Sequence, residues 1–410
     1  MAATRAAETA GDRGAAAAGL VLVANTRFPS RRAQALQVAQ ASAAFQRAGA
    51  PTTLIAARRR GAVELPPGTD PFTWYGVGPG PRPALELVDC IDWIDRVPRA
   101  LQYAPARLQE LSFARNAARR VLAAHADAWV LAREIECTLR LVRAGSRSTF
   151  LEIHRVPAGG TRRRWLLEAA RGARGIVAIS GGVRADLVAL GIPETAITVE
   201  HDGFEPARFA ARPSRAEARR ALALPEGAPL VAYTGGLLAW KGVDVLVEAA
   251  RLVPEVYFVI AGGLEADVAR VRAQAGGLAN VRVDGFQPPE RVPWYLAAAD
   301  LGVVPNRSRP AISARYTSPL KVFESMAVGL PLVASDLPSL AELLRRDVDA
   351  LLVAPDDPRA LADGIARLVA DPALRTRLAT NLAARAPEHT WDARARRLLE
   401  WMREKLRDQA

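Results

Sequence analysis

The chain of 410 residues has few cysteines, few histidines and no long apolar run, and each shortage excludes a class of protein. Two cysteines, Cys90 and Cys137, are too few for a disulfide scaffold or a cysteine-rich zinc module. Four scattered histidines leave little for a histidine-rich metal site. The longest apolar run, residues 15–24, is about half of the roughly 20 residues that a membrane-spanning helix needs. With 50% hydrophobic residues the chain can nevertheless bury sizeable cores, and its length predicts two domains.

The apolar run at 15–24 has two interpretations. It follows a basic stretch, so it could belong to a secretory signal. Glu8 and Asp12 dilute that stretch, however, and no convincing cleavage site follows. Residues 19–24 therefore favour a buried first strand. We expect a cytoplasmic protein that could act at the inner face of the membrane.

Lysine is the scarcest charged residue, although the chain is basic. There are 55 lysines and arginines against 43 acidic residues, a net charge of +12, yet only Lys241, Lys321 and Lys405 are lysines. The excess could attract an anionic partner such as a phosphorylated substrate or an acidic membrane, or it could merely solvate helix faces. A nucleic-acid partner is not expected, because no platform of interleaved aromatic and basic residues is present.

Apolar strand patterns alternate with longer helical patterns along both halves of the chain. This alternation predicts an α/β fold with two Rossmann-like domains, each a doubly wound parallel sheet. In the first half we predict strands at 19–24, 52–56, 128–131, 148–153 and 175–180, and helices at 33–48, 105–124 and 182–190. In the second half we predict strands at 230–234, 256–261, 280–283, 301–304, 331–334 and 350–353. Residues 58–100, rich in proline and glycine, are hard to assign.

Several common site motifs are missing. The chain has no P-loop, and the glycines at 76, 78 and 80 follow no predicted strand, so they make a weak dinucleotide fingerprint. Asp347 and Asp349 resemble a metal-binding pair in spacing, but they lie where a helix turns into a strand. We expect a turn there and no bound metal.

The first informative segment is 233–248, YTGGLLAWKGVDVLVE. A strand ends, Gly235 and Gly236 open a loop, and an amphipathic helix is predicted to start near Gly242. Free N–H groups at a helix start and the neighbouring Lys241 could bind an anion. A tight turn with an exposed lysine explains this segment equally well.

The second segment is 317–338, TSPLKVFESMAVGLPLVASDLP. Ser318 is predicted to cap a helix whose first turn holds Pro319. Lys321 would then oppose the helix dipole, a poor choice unless an anion is bound there. Glu324 lies one turn further and could accept hydrogen bonds from two sugar hydroxyls. A simple ion pair between Lys321 and Glu324 is the alternative.

Together these segments resemble the donor-binding half of the retaining glycosyltransferases of family 4, within the group 1 glycosyltransferases, which have the GT-B fold. The resemblance implies a cleft between an acceptor-binding domain at 1–205 and a donor-binding domain at 206–388. Residues 389–410 would form a C-terminal helix that crosses back to the first domain.

The resemblance also implies roles for individual residues. Lys241 would hold the diphosphate of a nucleotide sugar, Glu324 would bind the ribose hydroxyls, and His154 would contact the donor sugar near the reacting carbon. These three are the candidate catalytic residues. The expected donor site comprises Gly235, Gly236, Lys241, Gly285, Phe286, Ser318, Leu320, Lys321 and Glu324. Arg27, Arg31 and Arg32, after the first strand, could bind the acceptor or could equally be an exposed helix start.

Two positions depart from the family pattern. Gly236 stands where relatives often have an arginine, and Tyr316 stands where they have the first of two glutamates. The diphosphate site would be weaker unless Arg309 or Arg315 supplies a guanidinium.

The expected activity is metal-independent, cofactor-free transfer of a sugar from a nucleotide-diphosphate donor to a glycan, lipid-linked or small-molecule acceptor. Two alternatives are a nucleotide-sugar epimerase of the same fold and a catalytically silent scaffold that binds nucleotide sugar.

Overall fold

The computed structural model describes residues 19–407, apart from the side chain of Arg99, and contains two parallel sheets. The strands of the first sheet are β1 Leu20–Arg27, β2 Thr52–Arg58, β3 Ala84–Asp89, β4 Trp129–Ala132, β5 Thr149–Ile153, β6 Gly175–Ala178 and β7 Ile197–Val199. Those of the second are β8 Leu230–Thr234, β9 Tyr257–Ala261, β10 Val281–Gly285, β11 Leu301–Val304, β12 Leu332–Ser335 and β13 Leu351–Val353.

The strand orders are those of doubly wound sheets. The first is β3-β2-β1-β4-β5-β6-β7 and the second is β10-β9-β8-β11-β12-β13, with parallel pairing throughout. Each order reverses beside its first strand, between β1 and β4 and between β8 and β11. Ligands bind such sheets at the carboxyl ends of the strands next to this reversal.

Helices connect the strands and cover both faces of each sheet. Those of the first half are α1 Ala33–Arg47, α2 Pro71–Trp74, α3 Tyr103–Ala124, α4 Ile135–Arg143, α5 Gly160–Gly172 and α6 Gly181–Ala189. The next are α7 Ala207–Ala210, α8 Arg215–Ala221, α9 Val243–Leu252, α10 Glu265–Gln274, α11 Val292–Ala298 and α12 Ala311–Ala314. The last are α13 Leu320–Val328, α14 Pro338–Ala341, α15 Pro358–Ala370, α16 Pro372–Ala384 and α17 Trp391–Arg407.

The predicted strands are present, with bounds shifted by a few residues. Residues 58–100, which the sequence left unassigned, contain the edge strand β3 and the short helix α2. The side chains of β3 are only partly buried, because one of its edges has no neighbouring strand, so its apolar pattern is weak. The run at 15–24 continues into β1, while residues 15–18 lie outside the described part of the chain.

Helix α17 packs against the first sheet although it follows the second. Trp391, Leu398 and Met402 are buried in one apolar cluster with Leu20 and Phe45. This contact confirms the predicted return of the C-terminal helix to the first half of the chain. Among residues 19–407, no helix has both the length and the hydropathy required to cross a bilayer.

The chain passes between the two halves twice, side by side. Phe204, after the first sheet, donates its N–H to the His389 carbonyl at 3.1 Å and accepts a hydrogen bond from the Trp391 N–H at 3.0 Å. Leu320, after β11, packs against the apolar cluster of the first half. Residues that follow strands of the first sheet contact residues that follow strands of the second: Arg31 lies over the Phe286 ring, and the Asp202 N–H donates to Ser318. The carboxyl ends of the two sheets therefore face each other across a cleft, and this confirms the predicted GT-B arrangement.

Candidate functional site

Lys241 lies at the cleft, in a turn between β8 and α9. The residues after Thr234 form an open loop and then a single 3₁₀ turn that ends at Lys241. Gly242 follows with φ +70°, and a Cβ on it would lie 1.7 Å from the Pro305 carbonyl oxygen. The Lys241 Nζ lies 4.1 Å from the centroid of the Trp240 ring. Burial lowers the pKa of Lys241 to about 8, and the charge of Asp202 opposes this change.

Lys321 reaches the same place from the first turn of α13. Its side chain is buried, and its Nζ lies 3.7 Å from the centroid of the Tyr233 ring. A Cβ built on Gly235 would lie 3.8 Å from this Nζ. Burial and the charge of Lys241 lower the pKa of Lys321 well below its ordinary value, while Glu324 acts in the opposite direction. Two lysines and a glycine loop thus converge at the carboxyl end of β8.

Glycines at the ends of three neighbouring strands bring bare backbone to this point. The Gly262 N–H, after β9, donates to the carbonyl of Gly285 at 2.6 Å, and the Gly235 N–H donates to the Ala261 carbonyl at 2.9 Å. A Cβ on Gly262 would lie 2.1 Å from the Gly235 carbonyl oxygen. The loops can therefore approach one another only if position 262 has no side chain.

Buried polar atoms without a partner surround the two lysines. Among the described residues, the Lys321 Nζ, the Thr234 Oγ1 and both amide atoms of Asn306 make no hydrogen bond. Thr234 ends β8, and Asn306 follows β11, the neighbouring strand. Leaving such groups buried and unpaired is costly, so this cluster has the chemistry of a site for a polar, anionic ligand.

Ser318 does not cap α13, and this prediction was wrong. Pro319, in an extended conformation, occupies the cap position and has no side-chain hydrogen bond to offer. The Ser318 Oγ instead accepts a hydrogen bond from the Asp202 N–H at 2.8 Å, across the cleft. Contact with the first half of the chain, rather than capping, determines the position of this hydroxyl.

Glu324 is buried one turn beyond Lys321, but its partner is Arg208. The Arg208 guanidinium lies 3.1 Å from the Glu324 Oε1 and also donates to the Pro289 carbonyl at 3.1 Å. Among the described residues no ion pair joins Glu324 to Lys321, so that alternative is wrong. Arg208 belongs to α7, in the connection between the two halves, and no sequence motif indicates its role.

His154, which follows β5, is held by a buried charge cluster. Its Nε2 lies 2.8 Å from the Glu152 Oε1 and 2.7 Å from an Arg133 guanidinium nitrogen. Arg394, from α17, binds the other Glu152 oxygen at 3.0 Å. These cations keep the pKa of Glu152 well below its ordinary value despite burial. The imidazole is therefore fixed in position at the cleft.

Asp202 lies at the cleft, and no role was predicted for it from the sequence. Its carboxylate accepts a hydrogen bond from the Gln37 side chain at 2.6 Å, and its N–H binds Ser318. Burial raises the pKa of Asp202, and the charges of His154 and Arg133 oppose that rise. Asp202 therefore lies between the histidine of one half and the lysines of the other.

The three candidate acceptor arginines have different environments. Arg27 is paired with Asp95 at 2.7 Å, whereas Arg31 and Arg32 are exposed. The Arg31 guanidinium lies 5.0 Å from the centroid of the Phe286 ring, which belongs to the other half. Arg31 thus contacts a predicted donor-site residue across the cleft.

Tyr316 and Arg315 point away from the two lysines. The Tyr316 hydroxyl donates to Asp186 of α6, and Arg315 pairs with the same carboxylate at 2.6 Å. The Arg315 carbonyl accepts a hydrogen bond from Ser180 at 2.8 Å. Arg315 therefore joins the two halves and does not supply the guanidinium considered for the diphosphate site.

Asp347 and Asp349 form the predicted turn. Asp349 is fully buried and paired with Arg345 and Arg385. Within residues 19–407, no group of three or more histidine, cysteine, aspartate or glutamate side chains could hold a metal ion.

Comparison with known proteins places the second half of the chain in a described group. Residues 214–385 match the family model of glycosyl transferases group 1. A D-inositol 3-phosphate glycosyltransferase of Xylanimonas cellulosilytica is 33% identical over 211 residues, which cover 49% of this chain and 48% of that protein. The chain thus spans about half the length of the curated relatives that it matches.

Solved structures resemble the chain over nearly its whole length. Sucrose-phosphate synthase from Thermosynechococcus elongatus has a TM-score of 0.74 and 21% identity over 96% of this chain and 100% of that chain. Anabaena HepE in complex with UDP has a TM-score of 0.70 and 17% identity over 94% of this chain and 100% of that chain. At this identity the likeness shows the fold. The family model confirms the resemblance to group 1 glycosyltransferases over residues 214–385.

Proposed function

We propose that this chain, in which residues 214–385 form a group 1 glycosyl transferase domain, is a retaining glycosyltransferase. It would move a sugar from a nucleotide-diphosphate donor to a glycan, lipid-linked or small-molecule acceptor, without a metal ion or another cofactor. The donor would bind the second half of the chain at the cleft, and the acceptor would enter from the first half.

The observation that carries this proposal is the convergence of Lys241 and Lys321. Among residues 19–407 neither lysine is paired with a carboxylate, so the two cations repel each other, and burial adds to the cost. A diphosphate would offset both penalties and would also satisfy the Lys321 Nζ, which has no hydrogen-bond partner among the described residues. The start of α13 and the bare backbone of Gly235 favour the same anion.

The chemistry follows from stabilisation of the leaving group. The bond between the anomeric carbon and the diphosphate oxygen breaks, and the two lysines stabilise the negative charge that develops on that oxygen. The acceptor hydroxyl forms its new bond on the same face and gives its proton to the departing phosphate oxygen. His154, fixed by Glu152 and Arg133, would contact the donor sugar, and Glu324 would bind the ribose hydroxyls beside Arg208.

The named relatives support the substrate classes. HepE was solved in complex with UDP and with UDP-glucose, which supports a nucleotide-sugar donor. The first relative is named for D-inositol 3-phosphate, which supports a phosphorylated acceptor. Neither the epimerase nor the silent scaffold is favoured, because the relatives are named as glycosyltransferases.

The test of the donor site is thermal stabilisation by UDP-, GDP-, CDP- and ADP-sugars, without added metal. Ligand at about 100 times its dissociation constant stabilises a protein by about 2.7 kcal/mol, which is a shift of several degrees in Tm. We expect a shift with one nucleotide class that Lys241→Ala abolishes and that Glu324→Gln reduces.

The control for this experiment is Lys405→Ala, which removes the third lysine, on α17. Glu324→Gln is preferred to alanine because it keeps a hydrogen-bond acceptor for the buried Arg208. The absence of any shift, with all four nucleotides, would remove the donor-site assignment. Once an acceptor is found, the anomeric configuration of the product, followed by NMR, tests retention.

We also propose a cytoplasmic protein that contacts the inner face of the membrane. The exposed side chains of Trp93, Leu101 and Tyr103, the last 79% exposed, lie together in sequence before and at the start of α3. Apolar and aromatic side chains of this kind insert at a bilayer surface, and the basic surface favours anionic lipid. Co-sedimentation with vesicles of phosphatidylglycerol, lost in Trp93→Ala with Tyr103→Ala, tests this contact; equal sedimentation of the variant would refute it.

A further inference from the structure

A cavity of about 580 Å³ lies between the two halves, beside the proposed reaction centre. One wall is the loop 155–158, which begins directly after His154, together with the end of α6. The other wall is the segment 310–312 with Tyr316, which lies two residues before Ser318. We call this space the interdomain cavity.

Its lining is mostly apolar. The apolar residues come from three segments of the chain and are Val156, Pro157, Ala158, Ala189, Leu190, Pro310, Ala311 and Ile312. The volume is in the range of small-molecule sites, which combine an apolar lining with a few polar groups. None of these apolar residues has a role in the donor site described above.

Two arginines at the wall of the interdomain cavity, Arg155 and Arg163, have no carboxylate partner among residues 19–407. Asp186 is neutralised by Arg315 and by the Tyr316 hydroxyl. Arg163 donates to the carbonyls of Pro157 and Ala158 and so holds the loop in place. Arg155 is exposed, and its charge acts on Tyr316 across the cavity. A mostly apolar space with a guanidinium at its wall is suited to a ligand that has an apolar part and an anionic group.

We propose that the interdomain cavity is the acceptor subsite, and that it takes the apolar part of an acceptor whose phosphate is bound by Arg155. The inference rests on the proposed glycosyl transfer, because it names the acceptor class of that same site. It also places the acceptor phosphate at Arg155, directly after His154 in sequence, and not at Arg31, Arg32 or Arg27, the last of which is paired with Asp95.

The test is calorimetric titration of the full chain with octyl phosphate below its micelle concentration, beside inorganic phosphate. We expect octyl phosphate to bind at least tenfold more tightly, because the chain adds apolar burial to the phosphate contact. Ala311→Trp, which fills the cavity from an exposed position, should abolish this binding. Arg155→Ala should weaken it about tenfold or more, the usual effect of losing a hydrogen bond to a charged group.

Matched controls separate the cavity from general effects of substitution. Ala123→Trp places the same indole on the exposed face of α3, and Arg164→Ala removes an exposed arginine of α5 that does not line the cavity. Both controls should bind octyl phosphate like the unmodified chain. Equal binding in all four variants, or no preference over inorganic phosphate, would overturn the proposal.

Benzyl phosphate, titrated in parallel, distinguishes the source of the ligand. Comparable binding of both esters indicates a compact soluble acceptor, and a preference for the octyl ester indicates a lipid-linked one; both results support the cavity. Thermal shifts with nucleotide sugars are measured on the same variants. Nucleotide binding without octyl phosphate binding would refute the acceptor subsite alone, whereas octyl phosphate binding without nucleotide binding would refute the proposed function and, with it, the acceptor role of the cavity.

Discussion

At the scale of single residues, the candidate donor site contains lysines, although almost all other basic residues of the chain are arginines. Burial lowers the pKa values of Lys241 and Lys321, and the charge of Lys241 lowers that of Lys321 as well. An arginine in these positions would stay charged and keep the full repulsion. A lysine can lose its proton in the empty site and regain it when an anion arrives.

This difference predicts proton uptake when the nucleotide binds. In the empty site, the pKa of Lys241 is about 8 and that of Lys321 is well below its ordinary value. A diphosphate raises both pKa values by stabilising the ammonium forms. Binding near pH 8 should therefore take up protons, and affinity should fall as the pH rises above about 8, because the free site then loses the protons that binding requires.

Calorimetry of UDP binding in buffers of different ionisation enthalpy measures this uptake. Lys321→Met should reduce it and weaken binding by roughly 10-fold or more, since a hydrogen bond to a charged group contributes about 1.5–3 kcal/mol. Lys405→Met should change neither quantity. A binding enthalpy that is the same in every buffer would show that the lysines are already protonated in the empty site.

At the scale of elements, the loops that follow β8, β9 and β10 form one unit. Gly235, Gly262 and Gly285 are joined through backbone contacts, so a change in one loop displaces the others. Their function depends on close approach of main chains and not on side-chain chemistry.

Gly262→Ala tests this unit. The added Cβ would lie 2.1 Å from the Gly235 carbonyl oxygen, at a residue with φ +127°, so the Gly235 loop must move. We expect a loss of stability of about 1–3 kcal/mol and at least a tenfold loss of nucleotide affinity. Gly227→Ala, where nothing lies within 4 Å of the new Cβ, is the matched control. Unchanged affinity in Gly262→Ala would show that the loops move independently.

Periodicity and turn residues predicted most of these elements, but not the contacts between them. The positions of Lys241 and Lys321 could be predicted because glycines, a proline and an apolar period define the local helix starts. Arg208 and Asp202 could not, since Glu324 and Ser318, which they contact, each lie 116 residues further along the chain and the contacts depend on how the halves pack. Arg394 did carry a signal: it follows Trp391 by three residues, on the face of α17 that the apolar period predicts to be buried.

At the scale of the whole molecule, the two halves are joined by polar contacts beside the cleft. Asp186 binds Tyr316 and Arg315, Ser180 binds the Arg315 carbonyl, and Glu342 accepts a hydrogen bond from the Gly181 N–H at 2.8 Å. Polar interfaces of this kind permit relative motion of domains more readily than apolar ones. The cleft can therefore open for substrates and close to exclude water during transfer.

Tyr316 is the residue at which this interface departs from the family pattern, and its substitution tests the role of the interface. Tyr316→Glu would restore the family's residue but would place a carboxylate against Asp186. Since two neighbouring carboxylates each favour the protonated form of the other, the repulsion should be present at pH 8 and should disappear as the pH falls and one of them takes up a proton. Small-angle X-ray scattering should show a larger radius of gyration for this variant at pH 8, and a return to the radius of the unmodified chain near pH 5.

Tyr316→Phe, which loses the hydroxyl but keeps the packing, should show no such pH dependence. If Tyr316→Glu keeps the compact form at pH 8, the pairing with Arg315 is enough to hold the halves together, and the tyrosine must be explained by what it contributes to the interdomain cavity.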